Sequence, residues 1–444
     1  MKTIYNLERK IGLLGSIMIV IANMVGVGIF TSLGFQLIEL SDYRVILLLW
    51  VLGGFLALTG TFCYSELSAA FPRSGGEYHF LNISMGKLTG FLSAWTSMLV
   101  GFAAPIAAAA HAFSKYIDVA TDFEISPLAI GAFIIIIVSI IQSINLNVGN
   151  KFQIYFTIGK LLLIFIFILG GFYCLNIQFT TSSSSFLTTG NFLEELMSPG
   201  FWIGSIFVSY AYSGWNATCY IIDDIKNPQK NVVRSTVFGT IIVTILYCCL
   251  TYVFLASTPA SEMIGKEEIG FISASNLFGS NFGVIVSSLI AFFLVSSISA
   301  MTIVGPRVIK RVANDYNFFQ ILNNDSVDKP PRIAIAIQTI IALFILLTSS
   351  FDFIITSIGF LLSVFTTLTA FSVILLRIKQ PNVNRPWKVP FYPITPILYC
   401  FFNFWVIYYI ITNRPESALI SSIFLCIGVV VFYIIKSRSK HKET

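Results

Sequence analysis

A lysine inside one apolar run and two glycines two apart inside another are the residues of this 444-residue chain whose types and spacing carry chemistry. Lys160 stands about nine residues past Lys151, so a rise of roughly 1.5 Å per residue brings it near the middle of a bilayer. An ammonium there costs about 2.5–3.5 kcal/mol on insertion scales. Either it reaches an interface or a helix dipole, or its charge faces interior oxygen atoms, as a fixed substitute for a metal cation or as a proton carrier. The glycines belong to Gly26-Val27-Gly28-Ile29-Phe30, in the run 11–37. Small residues that let membrane helices pack closely recur four apart; a spacing of two concentrates backbone freedom at one point and predicts a break. A broken helix leaves free N–H groups and the positive end of a half-helix dipole near the midplane, which suits a small carboxylate and indicates a transporter.

A second stretch of this kind is Tyr210-Ala211-Tyr212-Ser213-Gly214-Trp215-Asn216, where Ser, Gly and Asn weaken an apolar helix. It falls in the first helix of a second group of five, as the Gly-x-Gly does in the first group, and interrupted helices in corresponding places mark the substrate site of inverted-repeat transporters. Ser296, Ser297 and Ser299 stand in an eighth helix, where they either offer oxygens to a cation or to Lys160, or bond to their own backbone. The charged run from Asp223 to Lys230 reads mainly as a solvated helix exit.

These residues must be positioned by membrane helices. With 56% hydrophobic residues, 11% charged and a mean hydropathy of +0.83, the chain is a polytopic membrane protein. Apolar runs predict about twelve helices, near 11–37, 44–70, 88–117, 127–146, 152–175, 199–222, 234–256, 282–310, 332–349, 353–376, 393–412 and 418–435. The first is too long for a cleavable signal and lacks a cleavage pattern. Pro72, Gly75 and Gly76 end the second, and a short helix lying at the surface or partly re-entrant is expected over 77–84. Of 27 Lys and Arg, only Arg44, Lys115, Lys266 and Arg414 fall on the outer side if the N-terminus is cytoplasmic, which predicts both termini inside. The net charge of +6 is then mostly topology and not a sign of nucleic-acid binding. Seven cysteines without a Cys-x-x-Cys pair and three scattered histidines provide no metal-ligand spacing, so neither a metal, a cofactor nor an intramembrane enzyme is expected.

The chain resembles the amino acid-polyamine-organocation superfamily of permeases, particularly bacterial relatives of the L-type and cationic amino acid transporters. The resemblance rests on Gly26-Val27-Gly28-Ile29-Phe30, Ser65-Glu66-Leu67 with Pro72-Arg73-Ser74-Gly75-Gly76-Glu77-Tyr78, Ser213-Gly214-Trp215-Asn216 and Lys226-Asn227-Pro228. Thr157-Ile158-Gly159-Lys160-Leu161, Gly305-Pro306-Arg307 and Arg385-Pro386-Trp387-Lys388-Val389-Pro390 add to it in the family's order. It implies an all-α fold of twelve membrane helices with a five-plus-five inverted repeat: 1–175 as the first repeat, 176–380 as the second, 381–444 as two further helices and a cytoplasmic tail. It implies that a substrate carboxylate meets the amides of Gly26, Val27 and Gly28. The substrate ammonium would meet the carbonyls of Met24, Tyr210 and Ser213, with Gly214 in the same break and Trp215 and Asn216 lining or gating the pocket. In members with a lysine at Lys160, its ammonium replaces a sodium ion bridging helices one and eight, where Ser296 and Ser297 stand. The implied activity is sodium-independent exchange of neutral L-amino acids by alternating access at the plasma membrane. Proton-coupled symport and a transporter-like sensor without flux remain alternatives. Two departures bear on this. The stretch 116–127 lacks the cysteine that links eukaryotic light chains to a heavy chain, so no disulfide-linked partner is expected. Neither interrupted core carries Asp or Glu, which disfavours cationic side chains.

Overall fold

Helices account for all regular structure among residues 11–121, 125–144, 146–181, 190–315 and 331–440, which this computed structural model describes; one isolated bridge pairs Ile11 with Ile225. That uniformity follows from composition, because a helix satisfies its own backbone where the surroundings offer no hydrogen bonds. In chain order the elements begin with α1 (Leu13–Met24), α2 (Gly28–Glu39), α3 (Tyr43–Ala70), α4 (Glu77–Ser84), α5 (Lys87–Thr96), α6 (Ala103–Ala120), α7 (Pro127–Ile144) and α8 (Leu146–Thr181). There follow α9 (Phe192–Leu196), α10 (Pro199–Ala211), α11 (Pro228–Ser257), α12 (Ala260–Met263), α13 (Ile269–Phe278) and α14 (Ser280–Asp315). The last four are α15 (Arg332–Thr348), α16 (Phe351–Lys379), α17 (Ile394–Asn413) and α18 (Pro415–Lys440).

Ten helical stretches among the described residues are long and apolar enough to cross a membrane, counting α1 with α2 and α5 with α6 as one each. Of the twelve expected runs, the sixth is cut to the 13 residues of α10 by its break, and the ninth, α15, has 17 residues. The outward faces are apolar: Phe133, Ile140 and Ile144 of α7 and Ile166 and Leu169 of α8 are exposed. The interior is also largely apolar but holds many buried Ser and Thr as well, some of which bond between helices, as Ser65 with Thr236 and Ser84 with Ser372 do.

The third run contains a feature that periodicity did not predict. Between α5 and α6 the chain makes one π-helical turn, Ser97–Gly101, and Pro105 follows four residues after Gly101. A proline clashes with the carbonyl four residues back and cannot donate to it, and the widened turn removes that conflict. After it, Ala103, Ala104, Ala107, Ala108, Ala109 and Ala110 are buried, and α6 packs closely along α14.

The two ends of α3 are tied down. At its start Asp42 caps the helix through the Arg44 amide (2.8 Å), and the guanidinium of Arg44 holds the Asp42 carboxyl below the usual carboxylate range. Nearby, Glu195 accepts from the Ser41 and Asp42 amides (3.0 and 2.9 Å). At its far end Glu66, 2% exposed, takes Arg377 of α16 through Nε (2.8 Å) and Nη2 (2.5 Å) and the Val389 amide (2.7 Å). The short helix expected over 77–84 is α4, with five of its residues buried against the rest of the bundle rather than lying free.

Candidate functional site

The two interrupted helices touch at their breaks. Helix α1 ends when the Val25 amide donates to Ile21 O (2.8 Å), and α2 begins at Gly28. In between, the amides of Gly26 and Val27 have no acceptor among the described residues. The second break follows α10, where Tyr212–Asn216 form turns before the 3-10 segments Ala217–Tyr220 and Ile222–Asp224. Gly214 lies in the left-handed region (φ 100°), and a Cβ there would stand 2.7 Å from Asn23 O. Reciprocally, a Cβ on Gly28 would stand 2.6 Å from Ala211 Cα. Each break therefore needs a glycine to admit the backbone of the other.

Tyr247 of α11 joins both breaks. Its hydroxyl lies 2.6 Å from Met24 O and 3.2 Å from Ala211 O, donating to the last carbonyl of α1 and of α10. Of the carbonyls assigned by resemblance to a substrate ammonium, Met24 O thus receives Tyr247, while Tyr210 O receives the Ser213 amide (2.9 Å). A carbonyl oxygen keeps a second lone pair after one such bond.

Lys160 of α8 is 1% exposed and meets the end of α1. Its Nζ donates to Val25 O at 2.5 Å and to Ser297 Oγ of α14 at 3.0 Å. A helix dipole and interior oxygen atoms were alternatives for this lysine, and here they coincide. The ammonium faces oxygen atoms of two elements and also sits at the negative end of a half-helix dipole. Ser297 is therefore brought to Lys160, whereas the Ser296 hydroxyl turns to its own backbone at Phe293 O (2.8 Å).

Beside the second break is a cavity of about 120 Å³, several times the roughly 10–15 Å³ that admits one water. Tyr210, Ser213, Gly214, Trp215 and Asn216 line it; from the first interrupted helix only Asn23 does, and Met24, Gly26, Val27 and Gly28 are not in its wall. Across the space stand Ser97 and Gly101 of the π turn, Ser363 and Thr366 of α16, and Tyr399 and Asn403 of α17. The indole of Trp215 is wedged edge-on against Tyr64 (centroids 4.7 Å) and Tyr399 (6.4 Å).

The fold adds a carboxylate that neither interrupted core contains. Glu77, first residue of α4 and 3% exposed, accepts hydrogen bonds from Tyr64 (2.9 Å), from Asn216 Nδ2 (2.6 Å) and from the Tyr220 hydroxyl. Burial pushes its carboxyl above the ordinary value, against the pull of those donors. It is not in the cavity wall, and its acceptor capacity is engaged by protein donors, so it is no ready counter-charge for a cationic side chain. Sequence reasoning missed Glu77, Tyr64, Tyr220 and Tyr247 as site residues. A signal existed for Glu77, a carboxylate directly after Gly75-Gly76, but the partners come from distant parts of the chain.

Comparison with known proteins finds similarity over nearly the whole length. A family model described as "Amino acid permease" matches residues 11–432. The chain is 28% identical to the serine/threonine exchanger SteT of Bacillus subtilis (strain 168), over 97% of this chain and 98% of that one. It is 24% identical to the human large neutral amino acids transporter small subunit 2, over 96% and 80% of the respective chains. It is 23% identical to the mouse b(0,+)-type amino acid transporter 1, over 97% and 88%. With two abutting breaks, a buried lysine bonded to the end of the first, and a family match running almost from end to end, this chain belongs to the amino acid permease family and is a membrane transporter, not an enzyme.

Proposed function

We propose that this protein exchanges neutral L-amino acids across the plasma membrane without sodium. The observation that carries the reading is the pair of abutting breaks, with the Gly26 and Val27 amides lacking an acceptor among the described residues and the Gly214 turn beside the cavity. Amide donors at the start of a half-helix suit a carboxylate, and carbonyls at the ends of α1 and α10 suit an ammonium. In this reading Gly26, Val27 and Gly28 take the carboxylate and Met24, Tyr210 and Ser213 the ammonium. Gly214, Trp215 and Asn216 shape the wall. The hydroxyls of Ser97, Ser213, Ser363 and Thr366 around a small cavity favour a small polar side chain, in keeping with the name of the Bacillus relative.

The Lys160 ammonium, bonded to Val25 O and Ser297 Oγ, supplies the positive charge that a sodium ion would bring between α1 and α14. Alternating access then rocks one group of helices against another around a fixed site. The arrangement we propose for it has twelve spans, with residues 1–175 and 176–380 as inverted repeats and 381–444 as two further helices and a tail. Both termini would be cytoplasmic. No disulfide-linked heavy chain is part of this reading, because residues 116–127 contain no cysteine.

Purified protein in liposomes tests it. Uptake of labelled L-serine, L-leucine and L-arginine is compared between empty and amino acid-loaded vesicles, with and without sodium and an inward proton gradient. Exchange predicts uptake of the neutral compounds that requires loading and ignores both gradients. Uptake into empty vesicles driven by protons and lost in Lys160→Ala would instead make the protein a symporter, and saturable binding without flux would make it a sensor.

A further inference from the structure

Two residues of the cavity wall, Asn216 and Tyr220, are held from behind by a carboxylate that does not reach the cavity. Glu77 Oε1 receives Asn216 Nδ2 at 2.6 Å and the Tyr64 hydroxyl at 2.9 Å, and Oε2 receives the Tyr220 hydroxyl. Three elements thus meet on one side chain: α3 through Tyr64, α4 through Glu77, and the far side of the second break through Asn216 and Tyr220. The backbone repeats the connection. The Gly76 amide donates to Cys219 O (3.1 Å), the Asp223 amide donates to Ser74 Oγ (2.9 Å), and the Ser74 amide donates to Asp223 Oδ2 (3.3 Å). Gly76 lies in the left-handed region (φ 54°), and a Cβ there would stand 2.4 Å from Tyr220 Cε1, so the loop before α4 is shaped to let that ring pass to the carboxylate.

From this geometry we propose that Glu77 is a positioning residue for transport: it latches Asn216 and Tyr220, and with them the 3-10 half of the interrupted helix, to α3 and α4, and the latch opens when the cavity opens at this end. The inference rests on the amino acid transport reading and extends it to the gate. A buried carboxylate satisfied by three donors cannot lose them one at a time without a large desolvation cost. The 3-10 half therefore leaves as a unit, and water must replace its donors as it goes. The other titratable groups facing Glu77 are Tyr64, Tyr220 and, more remotely, Cys219 and Tyr399, all neutral in their ordinary forms.

The test compares wild type with Glu77→Gln, Glu77→Asp and Tyr64→Phe in loaded liposomes, using labelled L-serine, or L-leucine if wild type prefers it. Rates are expressed per folded molecule, with KM and maximal rate measured separately. A carboxamide offers one acceptor oxygen where three donors converge, and Tyr64→Phe removes one donor while keeping the ring that packs against Trp215 of the cavity wall. Glu77→Gln and Tyr64→Phe are each expected to shift KM and to lower the maximal rate, the former by about tenfold, the scale of a lost buried hydrogen bond. The double variant should be no slower than Glu77→Gln alone, because both changes act on one network, and Glu77→Asp should recover part of the rate. Wild-type KM and rate in Tyr64→Phe and Glu77→Gln, or effects that simply multiply, would overturn the latch and leave the transport reading standing. A purely structural role would lower only the folded yield. Should Glu77→Gln fail to fold, unchanged kinetics in Tyr64→Phe alone would overturn it. No exchange by wild type would overturn both readings.

Discussion

Lys160 has two hydrogen-bond partners from two elements, Val25 O and Ser297 Oγ, and neither carries a charge. The ammonium is therefore held by dipoles, chiefly the end of α1. Replacing it by Met keeps the length and apolar volume but leaves the buried Val25 carbonyl without its donor, at a cost of about 1–3 kcal/mol. Lys160→Met is expected to lower the thermal midpoint of the purified protein and to slow exchange about tenfold or more, both measured on one preparation. The glycines of the first break separate by the same residue-level reasoning. An added Cβ at Gly26 would find Ser297 Oγ at 3.6 Å, ordinary contact, whereas at Gly28 it would overlap the Ala211 backbone. Gly26→Ala should fold with near wild-type stability, while Gly28→Ala should lose about 1–3 kcal/mol or fail to accumulate, as read by detergent thermal unfolding.

Both breaks were legible as elements from sequence, because Gly-x-Gly and Ser-Gly-Trp-Asn inside apolar runs weaken a helix wherever they occur. The short α4 was legible for a similar reason, lying between a Pro/Gly stop and a run too brief to span. What joins the breaks was not, since Tyr247 comes from α11 and nothing in its neighbourhood distinguishes it from a packing tyrosine. Its hydroxyl holds the last carbonyls of α1 and α10 at one point. Tyr247→Phe should leave the fold intact and cost about 1 kcal/mol of stability. Because two half-helix ends lose their common donor, it should also change exchange rate more than melting temperature, which parallel kinetic and unfolding measurements would check. The π turn at Ser97–Gly101 was equally illegible by period. Its cause, Pro105, stood in plain view, but whether a helix answers a proline by kinking or widening depends on what packs beside it.

For the whole molecule the testable expectation is orientation. Lys388 lies in the connector before α17 and Lys266 in the loop before α13, and the charge bias predicts that they lie on opposite sides of the membrane. In intact cells, with the seven native cysteines replaced by Ser or Ala, a membrane-impermeant maleimide should label Lys266→Cys directly and Lys388→Cys only after permeabilisation; the reverse pattern would invert the topology. Composition, run length and charge bias determined that the chain is a helical membrane protein, roughly where its spans lie and which two are weakened, because these depend on local transfer energy and local backbone freedom. The Gly26 and Gly214 breaks and the burial of Lys160 were therefore readable in one dimension. Only the tertiary structure decided what those residues meet: Ser297 and not Ser296 at the ammonium, Tyr247 across two helix ends, and Glu77 behind Asn216. Lys160 with Ser297, Tyr247 with Met24 and Glu77 with Asn216 are each far apart along the chain. The packing of whole helices, which no local pattern encodes, chooses among several equally polar side chains.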